Sequence, residues 1–206
     1  MAGFKNIGAR RKKEIKMKRI SKVNPIKVTN MKIIKSDIIN SEQPKRKHVH
    51  GGTYVGEKVD GKMEGEGSYL YADGSKYVGQ WKSDMMDGQG TFTWSSGEKY
   101  IGEWKNDEKN GYGIYTWPDG DKYIGHWDNG IKCGQGIFIW ADGETYVGDW
   151  KDDLRHGYGK HTWTDGDQYI GMWKEDIRDG TGLYIFVDGR TIIGEFQNND
   201  FPKTNL

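Results

Sequence analysis

The sequence predicts an all-β protein built as one elongated, single-layer antiparallel sheet of successive β-hairpins. Three observations support this fold class: tyrosine recurs every 23 residues, glycine recurs at four fixed positions of the repeat, and the residues between them alternate with the two-residue period of strands. The tyrosines at position 1 of the full repeats are Tyr54, Tyr77, Tyr100, Tyr123, Tyr146 and Tyr169, and Ile192 takes this place in a partial seventh copy.

Glycine occupies the same positions in every full copy, and tryptophan does so wherever it occurs. Glycine lies at positions 3, 12, 14 and 21, and these sites together with Gly194 account for 25 of the 31 glycines. All nine tryptophans lie at position 5 or position 18. A leucine-rich repeat of similar length is excluded, because the whole chain has four leucines. We therefore expect each copy to form one hairpin.

The connection between copies is an Asp-Gly pair at positions 20 and 21. It suits either a two-residue type I′ turn or a three-residue loop with a left-handed glycine. Pro118, at position 19, favours the three-residue loop, because proline suits a type I turn and cannot donate in a strand pair. That loop places six residues of two successive copies on one face of the sheet: Gly113, Tyr115, Trp117, Tyr123, Gly125 and Trp127. We expect the glycines to leave space on this face into which the neighbouring rings pack.

The chain divides into three segments by composition. Residues 1–50 hold 15 Lys and Arg against three Asp and Glu, whereas residues 51–206 hold 16 against 27. We expect residues 1–50 to be a basic tail without a core, extended or partly helical, with a helix over about 9–20 and extended chain over 27–40. Residues 51–196 are expected to form the repeat rod, and residues 197–206 a short C-terminal extension.

No pattern of side chains indicates catalysis or a cofactor. The five histidines are scattered, and His161 stands where other copies have an aromatic residue. Asp119-Gly-Asp121 lacks the spacing of a calcium loop and reads as a turn. His48-Val-His50 reads as linker rather than as a metal site, and Cys133, the single cysteine, excludes an internal disulfide. We expect no enzyme, cofactor, metal site or small-molecule substrate.

The aromatic residues allow two interpretations. Packing of rings on glycines within the sheet can explain them completely, or the same face can also be a groove for a partner peptide or helix. Stacking on nucleic acid is disfavoured, because the acidic repeats would repel phosphate.

The repeats resemble those of a known family. Tyr100-Ile-Gly-Glu-Trp104, the segment from Gly111 to Gly120 and His156-Gly-Tyr-Gly159 are similar to MORN repeats, over residues 54–196. The resemblance implies a rod of hairpins and a scaffolding role. The family includes ciliary radial-spoke and other axonemal proteins, cytoskeletal scaffolds, membrane-junction proteins and modules attached to lipid kinases or lysine methyltransferases.

The resulting hypothesis is a non-enzymatic scaffold in a cytoskeletal assembly, most closely a ciliary or flagellar axoneme complex such as a radial spoke. Its partners would be proteins of a large assembly, with tubulin as one candidate for the basic tail. The residues expected to contact partners are Arg10, Arg11, Lys12, Lys13, Lys16, Arg19, Lys45, Arg46 and Lys47 in the tail, and Tyr77, Trp81, Trp94, Trp104, Trp117, Trp127, Trp140, Trp150, Trp163 and Trp173 in the repeats.

Two other hypotheses stay open. The chain could be a peripheral membrane adaptor whose basic residues bind anionic phospholipid, since each Lys or Arg near such a surface contributes about 1 kcal/mol. It could also self-associate, through the tail or through terminal strands. No signal peptide and no run of 18 apolar residues is present, so a cytoplasmic, cytoskeletal location is expected.

Overall fold

The computed structural model describes residues 51–202, which form a single antiparallel sheet. Its thirteen strands lie in chain order, so every connection joins neighbouring strands. The strands are β1 Thr53–Val59, β2 Lys62–Leu70, β3 Lys76–Lys82, β4 Met85–Thr93, β5 Lys99–Lys105, β6 Glu108–Thr116, β7 Lys122–Asp128, β8 Ile131–Ile139, β9 Thr145–Lys151, β10 Leu154–Thr162, β11 Gln168–Lys174, β12 Ile177–Ile185 and β13 Thr191–Phe196. The predicted all-β, single-layer sheet of hairpins is confirmed.

Each full repeat forms one hairpin closed by two residues at positions 7 and 8. Both residues take positive φ, as in Asn106 at 48° and Asp107 at 67°. Two successive left-handed residues define a type I′ turn, whose twist matches that of the flanking strands. Asn, Asp and Gly at these positions are the residues that adopt this conformation with least strain.

The three-residue loop predicted between repeats is also confirmed. In the third repeat the N–H of Gly120 donates to the carbonyl of Trp117 at 3.1 Å, and the N–H of Trp117 donates to the carbonyl of Asp121 at 2.9 Å. Gly120 has a φ of 106°, so this position requires glycine. Pro118 occupies the second residue of the resulting type I turn.

A bulge interrupts every hairpin at position 12. In the third repeat Gly102 pairs with Gly113 and Glu103 then pairs with Asn110, so the second strand carries the extra residues. Gly111, within this bulge, has a φ of 59°. The glycine at position 12 is therefore needed for backbone conformation, whereas those at positions 3 and 14 serve packing.

The core is a layer of rings on one face of the sheet. The tyrosines at position 1 of repeats two to six are completely buried. Tyr123 lies over the facing glycines Gly125 and Gly136, where an added Cβ would meet its ring or hydroxyl. The predicted ring-over-glycine packing is confirmed.

The tail residues 1–50, with their expected helix, and residues 203–206 lie outside the part of the chain that the structure describes. Nothing in the structure tests those predictions.

Candidate interaction surfaces

The sheet has two faces of different chemistry. The aromatic face carries repeat positions 1, 3, 5, 10, 14, 16 and 18, and the aliphatic face carries positions 2, 4, 13, 15, 17 and 23. Directly paired residues share a face, as Tyr115 and Tyr123 do on the aromatic face and Ile114 and Ile124 on the aliphatic face.

Most predicted contact residues of the aromatic face are core residues. The side chains of Tyr77, Trp81, Trp94, Trp104, Trp127, Trp150 and Trp173 are buried. Each position-5 tryptophan stands edge-on to two tyrosines, as Trp127 does to Tyr100 at 5.6 Å and to Tyr123 at 5.1 Å between ring centroids. These contacts within the sheet explain why both residue types recur, and no binding partner is needed to explain it.

The tyrosine hydroxyls are used within the sheet as well. In each full repeat the position-1 hydroxyl donates to the carbonyl of position 4, for example Tyr146 to Asp149 at 2.9 Å. Asp149 lies next to the bulge of its hairpin, and this bond gives the hydroxyl of the buried tyrosine an acceptor within the sheet. Burial raises the pKa of the Tyr146 hydroxyl far above its usual value, so it stays neutral.

The predicted contact residues that keep accessible surface on this face are three of the four tryptophans at position 18. Trp117, Trp140 and Trp163 are half-buried and pack against the core. Trp117 lies 4.4 Å from Tyr115 and 5.3 Å from Phe138, centroid to centroid. If this face binds a partner, these three rings are its accessible part.

A column of cations at position 10 was not predicted from the sequence. The position holds methionine in the first two repeats and then basic residues: Lys109, Lys132, Arg155 and Arg178. The Nζ of Lys109 lies 4.0 Å from the ring centre of Trp127, and the Nζ of Lys132 lies 4.6 Å from that of Trp150. Arg155 lies over Trp173 of the next repeat in the same way, and Arg178 lies near Phe196, which replaces the tryptophan, so the column forms a series of cation–π contacts.

Burial changes the acid–base behaviour of this column. Lys109 is 8% exposed, and desolvation lowers its pKa from 10.5 to about 8. Desolvation also lowers the pKa of Lys132, against the opposing effect of the Asp153 carboxylate. The alternation of basic residues with rings could have indicated this column, but only if position 10 had been assigned to the aromatic face.

His161 belongs to a polar chain within the aromatic layer. Its Nδ1 accepts from Nη1 of Arg155 at 3.2 Å, so its Nε2–H donates to Oε2 of Glu144 at 3.1 Å. Burial, followed by the Arg155 guanidinium, lowers the pKa of the imidazole. Arg155 in turn pairs with Asp176 at 2.8 Å. His161 is therefore a satisfied structural residue, as its place in the repeat predicted.

The aliphatic face carries a continuous row of β-branched side chains at positions 2 and 15. Across five successive strands the paired residues are Ile101, Ile114, Ile124, Ile137 and Val147. All are half-buried or exposed, and Val147 is 37% exposed. We call these five residues the aliphatic row. The row was not predicted from the sequence, because position 15 holds residues as different as Ser68, Ile114 and Lys160.

Metal-ligating side chains are not clustered in the part of the chain that the structure describes. Within 51–202, no three His, Cys, Asp or Glu side chains are placed to hold a metal ion. Burial raises the pKa of the Cys133 thiol, which disfavours the reactive thiolate. Across the same residues there is no helix long and apolar enough to cross a membrane.

The fold and its two faces define a repeat protein that presents extended surfaces. The sequence model of the MORN repeat matches six consecutive segments, residues 54–76, 77–99, 100–122, 123–145, 146–168 and 169–189. These segments make up more than half of the chain, which belongs to the MORN repeat family. The MORN repeat is a structural repeat, and its presence suggests a scaffold for protein interactions.

No curated protein matches the sequence. Among solved structures, the chain is similar to the SAS-4 (dCPAP) TCP domain of Drosophila melanogaster in complex with a proline-rich motif of Ana2 (dSTIL). The identity is 11%, the match covers 78% of this chain and 100% of that one, and the TM-score is 0.33. It is also similar to the TCP10 domain of Danio rerio CPAP in complex with a STIL peptide, at 15% identity, 68% coverage of both chains and a TM-score of 0.34. A third similar structure is the CPAP G-box domain, at 17% identity, 71% and 100% coverage and a TM-score of 0.36. These likenesses are too weak to bear on function.

Proposed function

We propose that this chain is a non-enzymatic scaffold in a microtubule-based assembly, in the axoneme of a cilium or flagellum. The repeats would dock onto a neighbouring protein, and the basic residues of 1–50 would contact an acidic partner such as tubulin. A radial spoke or a related axonemal complex is the assembly that this proposal favours.

The observation that carries the proposal is the aliphatic row. Its five side chains lie next to one another across five strands, and none is covered as the aromatic core is. A contiguous apolar patch on an open face is typical of a protein interaction site. Most tryptophans of the other face are buried and stabilise the sheet, whereas this row remains available for docking.

The charge distribution supports a second contact of a different kind. Residues 1–50 hold 15 Lys and Arg, including the run from Arg10 to Lys13, and only three acids. Clustered basic residues bind acidic surfaces through interactions that salt screens. Docking of the repeats should be less sensitive to salt than the contact made by these residues.

Detergent extraction of ciliated cells that express the tagged protein tests the proposal. We expect the protein to stay with the axonemal fraction after detergent and to leave it only at high salt. Arg10→Glu, Arg11→Glu, Lys12→Glu and Lys13→Glu together should lower the salt concentration needed for release. Release by detergent alone would contradict the proposal.

A matched pair of variants tests the role of the aliphatic row in the same assay. Ile114→Glu with Ile124→Glu adds two facing charges within the row, and Thr162→Glu with Gln168→Glu adds two facing charges on the same sheet face outside it. We expect the first pair to abolish retention and the second to preserve it. Equal behaviour of both folded variants would exclude the row as the docking surface.

The alternative function, a peripheral membrane adaptor, is favoured by the same basic residues. Flotation with liposomes that contain or lack anionic lipid separates the two proposals. Binding that requires anionic lipid, together with release from cells by detergent alone, would favour the adaptor.

A further inference from the structure

The outer edge of β1 is an open pairing surface at the N-terminal end of the sheet. Among the described residues, β2 is the only strand paired with β1. Val55 is 68% and Val59 58% exposed, and Gly56 is exposed although its counterparts in repeats two to six, such as Gly79, are buried. Unpaired edge strands of this kind readily accept another strand.

The hairpin geometry shows which backbone groups point outward from this edge. Asp60 and Gly61 form a two-residue turn, and Val59 pairs with Lys62 across it. The pair that closes such a turn is hydrogen-bonded, so alternate residues of β1 direct their N–H and C=O groups to β2. The other residues, Tyr54, Gly56 and Lys58, therefore direct these groups outward.

The opposite end of the sheet is protected where β13 ends. After β13 the chain turns at Asn198 and Asn199, and the N–H of Asp200 donates to the carbonyl of Gln197 at 2.9 Å. Phe201 then packs on Tyr184 at 5.0 Å between ring centroids. The ring of Pro202 occupies the space over Gly194 that a tyrosine fills in the full repeats. Proline lacks an N–H donor and ends strand pairing at this edge.

We infer that the outer edge of β1 binds the β1 of a second copy of this chain, as an antiparallel pair with two-fold symmetry centred on Gly56. This register makes three hydrogen-bonded residue pairs, two of Tyr54 with Lys58 and one of Gly56 with itself, and so uses every outward backbone group of the three residues. A register centred on another residue of β1 uses fewer of them.

Side chains at the edge suit this partner. Glycine faces glycine at this level in all twelve strand pairs of the sheet, and a second copy continues that row with its own Gly56. Lys58 replaces the tryptophan of the other repeats, and its Nζ already lies 5.7 Å from the ring centre of Tyr54. In the two-fold pair each Lys58 lies opposite a Tyr54 of the other copy, where a cation suits the ring.

A pair of charge variants tests the interface in the full chain by analytical ultracentrifugation. In the inferred register Val55 faces Glu57 of the other copy, so Val55→Glu places like charges opposite each other twice. We expect a reversible dimer for the wild type and about tenfold weaker association for Val55→Glu. Adding Glu57→Lys to this variant should restore association, because the facing charges become opposite.

Ile193→Glu is the matched control, since Ile193 has the same repeat position on the protected strand β13 and is 73% exposed. We expect it to associate like the wild type. The inference is overturned if the wild type is a monomer at all concentrations. It is also overturned if Val55→Glu has no effect or if Ile193→Glu weakens association as much.

Disulfide trapping tests the register directly. In a Cys133→Ser background, chains with Val55→Cys are mixed with chains carrying Glu57→Cys. Facing residues of a non-hydrogen-bonded antiparallel pair have Cα atoms about 4.5 Å apart, within the range that a disulfide spans. We expect rapid cross-linking of this mixture and slow cross-linking of Val55→Cys alone. Equal yields from an Ile193→Cys and Glu195→Cys mixture would overturn the inference.

Discussion

Tyr123 illustrates how a single residue type fixes several others in the repeat. Its ring covers Gly125 and Gly136 and lies nearly perpendicular to the rings of Trp127 and Trp150, and its hydroxyl donates to the carbonyl of His126 at 3.1 Å. One side chain thus explains why two glycines and the tryptophans recur. These residues were predicted from the sequence because all of them repeat with the same period.

Gly125→Val tests this packing. A Cβ at position 125 would lie 2.5 Å from the hydroxyl oxygen of Tyr123 and 2.7 Å from the Cα of Gly136, so the ring must move. We expect the free energy of unfolding to fall by about 1–3 kcal/mol. Lys160→Val, on the aliphatic face, is the control and should change it by less than about 0.5 kcal/mol. Denaturant unfolding measures both, and an unchanged Gly125→Val midpoint would contradict the packing described.

Lys109→Met tests the cost of the buried cation, since Met63 and Met86 occupy the same position in the first two repeats. The folded state holds Lys109 at a pKa of about 8, below the 10.5 of the unfolded chain. The unfolded state therefore binds more protons between these values, and stability rises with pH through that window. Contact with Trp127 and Tyr115 favours the charged form and offsets part of the cost.

We expect Lys109→Met to be about 1–2 kcal/mol more stable than the wild type at pH 7. The difference should shrink as pH rises from 8 towards 10, because the lysine then loses its proton in the folded state. Paired denaturation curves at pH 7 and pH 9.5 measure the change, and comparison with the wild type cancels the titration of the tyrosines. A difference that is constant with pH would show that Lys109 is not desolvated.

At the scale of elements, the hairpin turns are linked to one another by their own side chains. Oδ1 of Asp153 accepts the N–H of Lys132 at 2.8 Å, and the N–H of Asp153 donates to the Lys132 carbonyl at 3.2 Å. Asp84, Asp107 and Asp176 repeat the side-chain bond with a separation of 21 residues, and Asn199 does so at the last turn. Each of these turns therefore fixes the second strand of the repeat before it, and the turn at Gly130 does so through its backbone N–H alone, which donates to the carbonyl of Lys109 at 2.8 Å.

Asp153→Ala should destabilise the sheet, because it removes this acceptor and places alanine at a φ of 67°. We expect a loss of about 1–2 kcal/mol in the free energy of unfolding. Asp153→Asn keeps an acceptor oxygen and tolerates positive φ, so it should lose clearly less than alanine, its remaining cost being the lost carboxylate charge near Lys132. Thermal unfolding of the three proteins checks this, and equal losses for alanine and asparagine would refute the role of the acceptor.

The loops between repeats could be predicted from the sequence, whereas the bulges within the hairpins could not. Pro118 and the recurrent Asp-Gly pair sufficed to predict the three-residue loop, because only one turn accommodates both residues well. The bulge at position 12 could not be predicted, since a glycine needed for positive φ and a glycine needed for packing look the same in a sequence. Position 10 was missed for the same reason, because its face depends on that bulge.

At the scale of the whole sheet, each strand pairs only with the strands before and after it, and the rings on one repeat contact those of the adjacent repeats. Stability should then be a sum of local terms along the sheet, as in other repeat proteins. The fold class could be predicted because residues that contact each other lie in the same or the adjacent repeat and so recur with the 23-residue period. The aliphatic row, which we propose as a docking surface, includes position 15, whose residue type varies between repeats, so the 23-residue period does not reveal it.

Double-variant cycles test this locality. Gly79 and Gly171 lie four repeats apart, and each faces a glycine of its own repeat. Gly79→Val and Gly171→Val should therefore add, with a coupling energy below about 0.5 kcal/mol. Gly125 and Gly136 instead face each other beneath the ring of Tyr123, so the first substitution already displaces the ring that the second would meet. Together Gly125→Val and Gly136→Val should cost clearly less than the sum of the two single variants. Strong coupling between the distant pair, measured by denaturant unfolding, would mean that packing is transmitted along the sheet and that the repeats do not act as local units.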